Sequence, residues 1–390
     1  LLNLQGSFRD KKEESFSLVE KFPRRYDDRG DKAKAGDGMI KTEIIRVNPE
    51  APDEGALAQA AAILRRGGLV AFPTETVYGL GAVIYNRVSV KNIFTVKGRP
   101  GDNPLIVHIY REEQIFELAR ETPAAAMVLA RRFWPGPLTM ILPKREGIPV
   151  EVSAGLPTVA IRLPSHPVAR ELLRLTDLPV AAPSANLSGR PSPTRGSHVI
   201  TDLNGKIEMI IDAGPTGVGV ESTVLDLTGL RPRILRPGGV TREMLEAVLG
   251  AGAVETPEAL NDSRPLAPGM KYRHYAPQAP LRLLTGETRV IHTFLQERVD
   301  QARQAGKKIG VIGYDEDQGI PSCRTEVTFF SLGRRSNPAE GAERLFHLLR
   351  LCDQAGVDEI YAVAPPRTGV GEAVYNRLLK AAGGKVEEIK

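Results

Sequence analysis

The chain has 390 residues, 42% hydrophobic and 25% charged, with a formal net charge of +5. That composition can bury sizeable cores, and the length suits two domains better than one. No run reaches the roughly 18 apolar residues of a spanning helix, which argues against an integral membrane protein, and the positive balance favours anionic partners.

Residues 1–38 mix charges of both signs with few periodic apolar positions, so a disordered extension is expected there, with the chain proper starting at Met39. From Asp53, Leu57, Ala60, Ala61 and Leu64 recur at helical spacing until Gly67-Gly68. The short apolar run Leu69-Val-Ala-Phe72, closed by Pro73, reads as a buried strand feeding the loop Thr74–Gly79. A helix over 90–96 stops at Gly98 and Pro100, and a strand follows at 105–109. Further strands are expected at 138–142, 158–163, 179–182, 209–211, 222–227 and 233–235, an α/β pattern with a mixed sheet. Between 263 and 280, Pro265, Pro268, Pro277 and Pro280 deny regular structure and mark a linker. Strands at 281–284, 309–312, 327–330 and 360–363, with an amphipathic stretch at 338–352, then predict a small second α/β domain. The expected division is 39–252, a linker 253–280, and 281–390.

Complete nucleotide signatures are missing: there is no G-x-x-x-x-G-K-[ST] and no G-x-G-x-x-G. Gly79-Leu-Gly81, Gly217-Val-Gly219 and Gly369-Val-Gly371 read as turn glycines. Cys323 and Cys352 lack metal-ligand spacing and fit a reducing cytoplasm, and no secretory signal opens the sequence. More informative is Lys97-Gly-Arg-Pro-Gly-Asp-Asn-Pro104, which sets a lysine charge and an arginine fork beside glycines and prolines. Such a pair suits a polyphosphate; a solvated basic turn is the plainer alternative. A second loop, Ala181–Pro193, offers Ser184, Asn186 and Ser192 to phosphate or ribose, or to ordinary turn bonding. Both loops should lie beyond the carboxyl ends of strands, where open α/β folds collect ligands. Strand alternation puts Arg162 with Thr158 and Ala160, opposite Val159, Ile161 and Leu163, so Arg162 faces a site or an internal partner. His108 shares a face with Ile106, as a structural histidine or a site residue.

Together these segments resemble the threonylcarbamoyl-AMP synthase family, the YrdC-like domain in its two-domain form. The resemblance is carried by Pro73-Thr-Glu-Thr-Val-Tyr-Gly-Leu80, Lys97 to His108, Trp134-Pro-Gly-Pro-Leu-Thr139, Ala182-Pro-Ser-Ala-Asn186, Pro191-Ser-Pro-Thr194, Gly219-Val-Glu-Ser-Thr223, Leu235-Arg-Pro-Gly238 and Ala267 to Pro277. It implies a twisted mixed-sheet catalytic domain with a concave basic cleft, a Rossmann-like C-terminal domain, and a linker folded over the cleft. The implied enzyme is a nucleotidyltransferase that joins L-threonine, bicarbonate or CO2, and ATP into threonylcarbamoyl-AMP, releasing pyrophosphate. A partner transferase would pass the group to tRNA beside the anticodon. Carried over by position, Lys97, Arg99, Ser184 and Asn186 form the catalytic core. Arg99, Asn103, Ser184, Ser192, Arg236 and Tyr272 contact ATP, and Thr76, His108, Thr158, Arg162, Ala182 and Ser222 line the threonine site. Mg2+ is expected with ATP, its protein ligands unassigned. Two rival readings are a tRNA or double-stranded RNA binding module and a carbamoyl-adenylating enzyme of hydrogenase maturation. The first predicts salt-dependent RNA affinity, and the second calls for zinc-binding cysteine pairs that this sequence lacks.

Overall fold

The computed structural model describes residues 40–255, 274–318 and 327–390. The expectations for residues 1–38, for Tyr272 and for most of the linker fall outside them.

Helices of eight residues or more are α1 (Glu54–Arg65), α2 (Arg87–Lys97), α3 (Ala124–Phe133), α4 (Pro167–Thr176), α5 (Gly196–Leu203), α6 (Arg242–Leu249), α7 (Thr288–Gln304), α8 (Pro338–Ala355) and α9 (Gly371–Ala381). The Asp53 side chain accepts from the backbone N–H of Ala56 and caps α1, whose Leu57, Ala60, Ala61 and Leu64 are buried as the spacing predicts. Helix α2 ends on Gly98 in the left-handed region (φ 60°), with the N–H of Arg99 bonded to Phe94 O. That stop leaves buried Lys97 on the helix and turns Arg99 off it.

Ten strands form one mixed sheet, in the order β1 (Glu43–Arg46), β8 (Met209–Asp212), β2 (Val70–Phe72), β3 (Gly79–Val83), β7 (Val180–Ala181), β4 (Ile106–His108), β6 (Thr158–Arg162), β5 (Leu138–Pro143), β9 (Thr223–Asp226) and β10 (Arg233–Arg236). Parallel β4 and β6 place His108 opposite Arg162. Val107, Ile109, Val159, Ile161 and Leu163 pack into the main core, while Ile106 and Ala160 belong to a small cluster on the other face. Strand alternation therefore sends His108 and Arg162 away from the core.

Gly79 and Gly81 are not turn glycines: both stand in β3, antiparallel to β2. A Cβ on Gly81 would lie 2.8 Å from Phe72 Cε1 and 3.0 Å from Val180 Cγ1, so close packing, not turn geometry, calls for glycine. Short apolar periodicity could not show this, because Pro73 and the threonines mask the return strand.

The second sheet is wholly parallel, in the order β13 (Val327–Ser331), β12 (Ile309–Gly313), β14 (Glu359–Val363), β11 (Leu281–Thr285) and β15 (Val386–Glu388). Its core reaches into the first domain: Val77 and Val220 are buried with Tyr275, Leu345, Phe346 and Leu349. Gly219 (φ +76°) lies so close to Ala342 O and Glu343 Cα of α8 that any side chain there would collide with backbone.

Candidate active site

A cleft opens over the sheet face that carries Ile106, His108 and Arg162. Its cationic lining residues are Lys97, Arg99, Arg162, Arg190 and Arg236, against the single carboxylate Glu221. That charge balance suits an anion. The cleft thus extends across a sheet face as well as along the loops that follow the strands.

At one end, Arg162 Nη2 donates to Glu75 Oε1 at 2.6 Å, and its Nε donates to Gly136 O. Glu75 Oε2 also accepts from the N–H of Ser165, so the carboxylate fixes the guanidinium against two segments. His108 is buried beside it; burial first, then the Arg162 charge, pushes its pKa down to about 3. The imidazole is therefore neutral at physiological pH. Thr76 pairs with Thr74 through their hydroxyls at 2.9 Å, and Ser222 Oγ with Thr139 Oγ1 at 2.8 Å. Ala182 contributes a small wall.

At the other end, Lys97 Nζ donates to Ser184 O and Asn186 O, each at 2.5 Å, and to Asn186 Oδ1 at 3.4 Å. Three oxygens match three ammonium protons, although burial and then Arg99 hold its pKa well below the usual lysine range. Lys97 thus fastens the loop after β7, and Asn186 completes the knot by donating to Leu187 O and Arg190 O. Arg99 Nη2 donates to Asn103 O and Pro104 O, while its Nε and both side-chain amide atoms of Asn103 are buried without hydrogen-bond partners. Orphaned buried donors and acceptors are uncommon and expensive in folded proteins; Arg99 is the one of these two residues that lines the cleft. Arg236 Nη2 donates to Ser222 O at 3.0 Å and to Ser222 Oγ at 3.2 Å, and Ser192 Oγ donates to Glu221 at 2.6 Å.

Of the residues singled out in the sequence, Lys97, Arg99, Ser184, Asn186, Ser192, Arg236, Thr76, His108, Arg162, Ala182 and Ser222 all line this cleft. Two do not. Asn103 sits behind Arg99, and Thr158 starts β6 while Arg162 ends it, about 13 Å apart on a strand rising roughly 3.3 Å per residue. A shared strand face does not bring residues into one pocket. Tyr272 lies outside the described residues. Sequence reasoning passes over Glu75, Glu221, His274 and Tyr275, although each stands inside a quoted motif: a carboxylate carries no local sign of facing an anion site, and a histidine and tyrosine in a proline-rich linker carry none of facing a cleft. His274 lines the cleft with its Nε2 buried and unpartnered; burial, then Arg99, lowers its pKa to about 4.

Comparisons with known proteins agree with this architecture. Residues 62–238 match the Sua5, YciO and YrdC family model, described as telomere recombination, and residues 240–383 match the model for the C-terminal domain of threonylcarbamoyl-AMP synthase. Threonylcarbamoyl-AMP synthase of Bacillus subtilis is 50% identical over 331 residues, covering 85% of this chain and 94% of that one. Its counterpart in Pyrococcus abyssi is 47% identical over 353 residues, covering 89% of this chain and all of that one. A crystal structure of the P. abyssi protein complexed with L-threonine superposes with a TM-score of 0.82 at 47% identity, over 90% of this chain and 100% of that one. With both halves matched and relatives covered nearly end to end, the chain belongs to the threonylcarbamoyl-AMP synthase family.

Proposed function

We propose that this protein makes L-threonylcarbamoyl-AMP from L-threonine, bicarbonate or CO2, and ATP, with release of pyrophosphate. The observation that carries the reading is the cleft's charge pattern: a guanidinium fixed by Glu75 at one end and Arg99 and Arg236 at the other. An amino-acid carboxylate fits the first and a polyphosphate the second. The threonine amino nitrogen attacks CO2, losing a proton as the carbamate forms. A carbamate oxygen then attacks the α-phosphorus of ATP, and the bond from that phosphorus to the bridging oxygen breaks, so that pyrophosphate leaves. The chain supplies orientation and charge neutralisation in a site already built for it.

Arg162 uses Nε and Nη2 on protein oxygens, which leaves Nη1 to donate to the threonine carboxylate. Neutral His108 and Ala182 form the wall beside it, with Thr76 and Ser222 offering hydroxyls. Arg99, Ser184, Ser192 and Arg236 take the nucleotide. Asn103 serves from behind Arg99, and Lys97 and Asn186 act by holding the loop's shape. His274 and Tyr275 of the linker line the cleft and help keep water from the mixed anhydride.

Mg2+ finds no protein cage among the described residues. No group of three or more His, Cys, Asp or Glu that could hold a metal occurs among the described residues, and Glu221 is engaged by Ser192 and Arg377. The metal therefore travels with the ATP phosphates, in keeping with its habit of retaining water and phosphate oxygens. No helix among the described residues is long and apolar enough to cross a membrane. A labile product of this kind needs a nearby acceptor enzyme, so we place the activity in the cytoplasm, upstream of a tRNA threonylcarbamoyl transferase. The cleft's positive charge would also give tRNA a weak, salt-dependent hold. The deciding measurement is pyrophosphate release from ATP with threonine and bicarbonate each omitted in turn. Release that ignores either omission would refute the assignment.

A further inference from the structure

The second domain reaches the nucleotide end of the cleft through two buried arginines: Arg350 on α8 donates to Pro191 O at 2.6 Å, and Arg377 on α9 meets the carboxylate of Glu221. Glu221 is buried, accepts from Ser192 Oγ on the cleft side, and accepts from Arg377 Nε at 2.8 Å on the other. Arg377 stands on α9, is fully buried, and donates from Nη1 to Pro237 O at 2.9 Å. Glu221 and Pro237 are neighbours in sequence of Ser222 and Arg236, which are bonded to each other across the cleft wall. One guanidinium from α9 thus ties both segments that carry the nucleotide end of the site.

A buried ion pair is a poor way to glue two domains. It carries a desolvation cost of several kcal/mol per ion, and apolar residues of similar volume often serve as well or better. This interface already has such residues in Val77, Val220, Leu345 and Phe346. What the pair does that they cannot is set charge. Although burial raises the pKa of Glu221, Arg377, then Arg236 and Ser192, hold it down at about 2, so the carboxylate is ionised and largely satisfied. Without Arg377, the cation that still acts on it most strongly is Arg236. The carboxylate would then draw that guanidinium from Ser222 and compete with phosphate for it.

We propose that Arg377 is a positioning residue for the nucleotide: by neutralising Glu221 it keeps Ser192 and Arg236 arranged for ATP, and so makes the C-terminal domain part of the site. This rests on the synthase reading above. The test uses the full chain, with initial rates of threonine-dependent pyrophosphate release and calorimetric threonine affinity measured for wild type, Arg377→Met, Arg377→Gln, Arg377→Lys and Arg377→Met/Glu221→Gln. Arg377→Met is expected to raise the ATP KM about tenfold or more, since charged hydrogen bonds are worth that much, with the threonine Kd within about twofold. Arg377→Lys should lie between, and the double variant should recover part of the loss because no bare carboxylate remains. An ATP KM within about twofold of wild type in Arg377→Met, or in the equally uncharged Arg377→Gln should the methionine variant not fold, overturns the proposal. An equal loss of threonine affinity overturns it too. Wild-type protein without threonine-dependent release would instead overturn the synthase reading itself.

Discussion

The two ends of the cleft are built by different means. His108 and Arg162 project from adjacent parallel strands in register, and their positions follow from the pleat. Arg99, Ser184, Ser192, Glu221 and Arg236 come from loops and a strand end, held by Lys97 from a helix terminus and by Arg377 from another domain. An amino acid needs one geometry; a nucleotide that enters, reacts and leaves as two pieces benefits from a wall with movable parts. If that contrast is right, damage at the strand-built end should appear as lost stability and threonine binding together. Damage at the loop-built end should appear in ATP kinetics.

Arg162→Ala is the harshest test. It leaves Glu75 half-buried without its cation and is expected to cost about 3–5 kcal/mol of stability, the usual result of breaking a buried pair. Threonine binding should vanish with it, as read by urea titration and calorimetry. A variant that kept wild-type stability would show the strand-built end to be no stiffer than the loops. Next comes Arg99→Ala, expected to lose about 1.5–3 kcal/mol of charged hydrogen bonding, so that kcat/KM for ATP drops about tenfold or more while threonine binding holds. Equal losses for both substrates would erase the contrast. Gly81→Ala strikes neither end but the packing under both. Its Cβ would press on Phe72 and Val180, and about 1–3 kcal/mol of overpacking cost should appear in the urea midpoint, with KM values unchanged.

The same contrast governs what the sequence could reveal. Strand alternation predicts that His108 and Arg162 lie on the face opposite the main core because a period of two leaves no choice once Val107, Val159 and Ile161 are buried. The helix stop at Gly98 likewise marks where Arg99 leaves α2. Pairing across 87 residues, Arg162 with Glu75, has no local signature. Neither has the reach of Arg377 to Glu221 over 156 residues, since an arginine inside an amphipathic helix reads as a surface charge. The two glycines of β3 mislead for the opposite reason: their local signal, a G-x-G fragment, outweighs the distant packing that calls for glycine. For the loop residues, the pattern alone leaves phosphate binding and ordinary turn chemistry both open, and it is the family motifs that choose between them.

Acid titration separates the two regions by a smaller effect. His108 in the cleft and His198, which meets His347 at 3.1 Å where α5 faces α8, are both held neutral with pKa values near 3. Burial is the first cause for each, followed by Arg162 for His108 and Arg350 for His198. Above pH 6.5 folded and unfolded chains are alike at these groups. Below it the unfolded chain takes up protons that the folded chain refuses until about pH 3, so stability falls as pH drops through that window. Each histidine adds at most about 1.4 kcal/mol per pH unit to the slope. Removing one by His108→Gln or His198→Gln should flatten the dependence by that amount between pH 6 and about 5, measured as urea midpoints converted with a fixed m-value. His108→Gln should in addition weaken threonine binding, whereas His198→Gln should leave it alone. An unchanged slope in His108→Gln would mean that the imidazole is not held neutral, and the strand-built end would then be wetter than its packing implies.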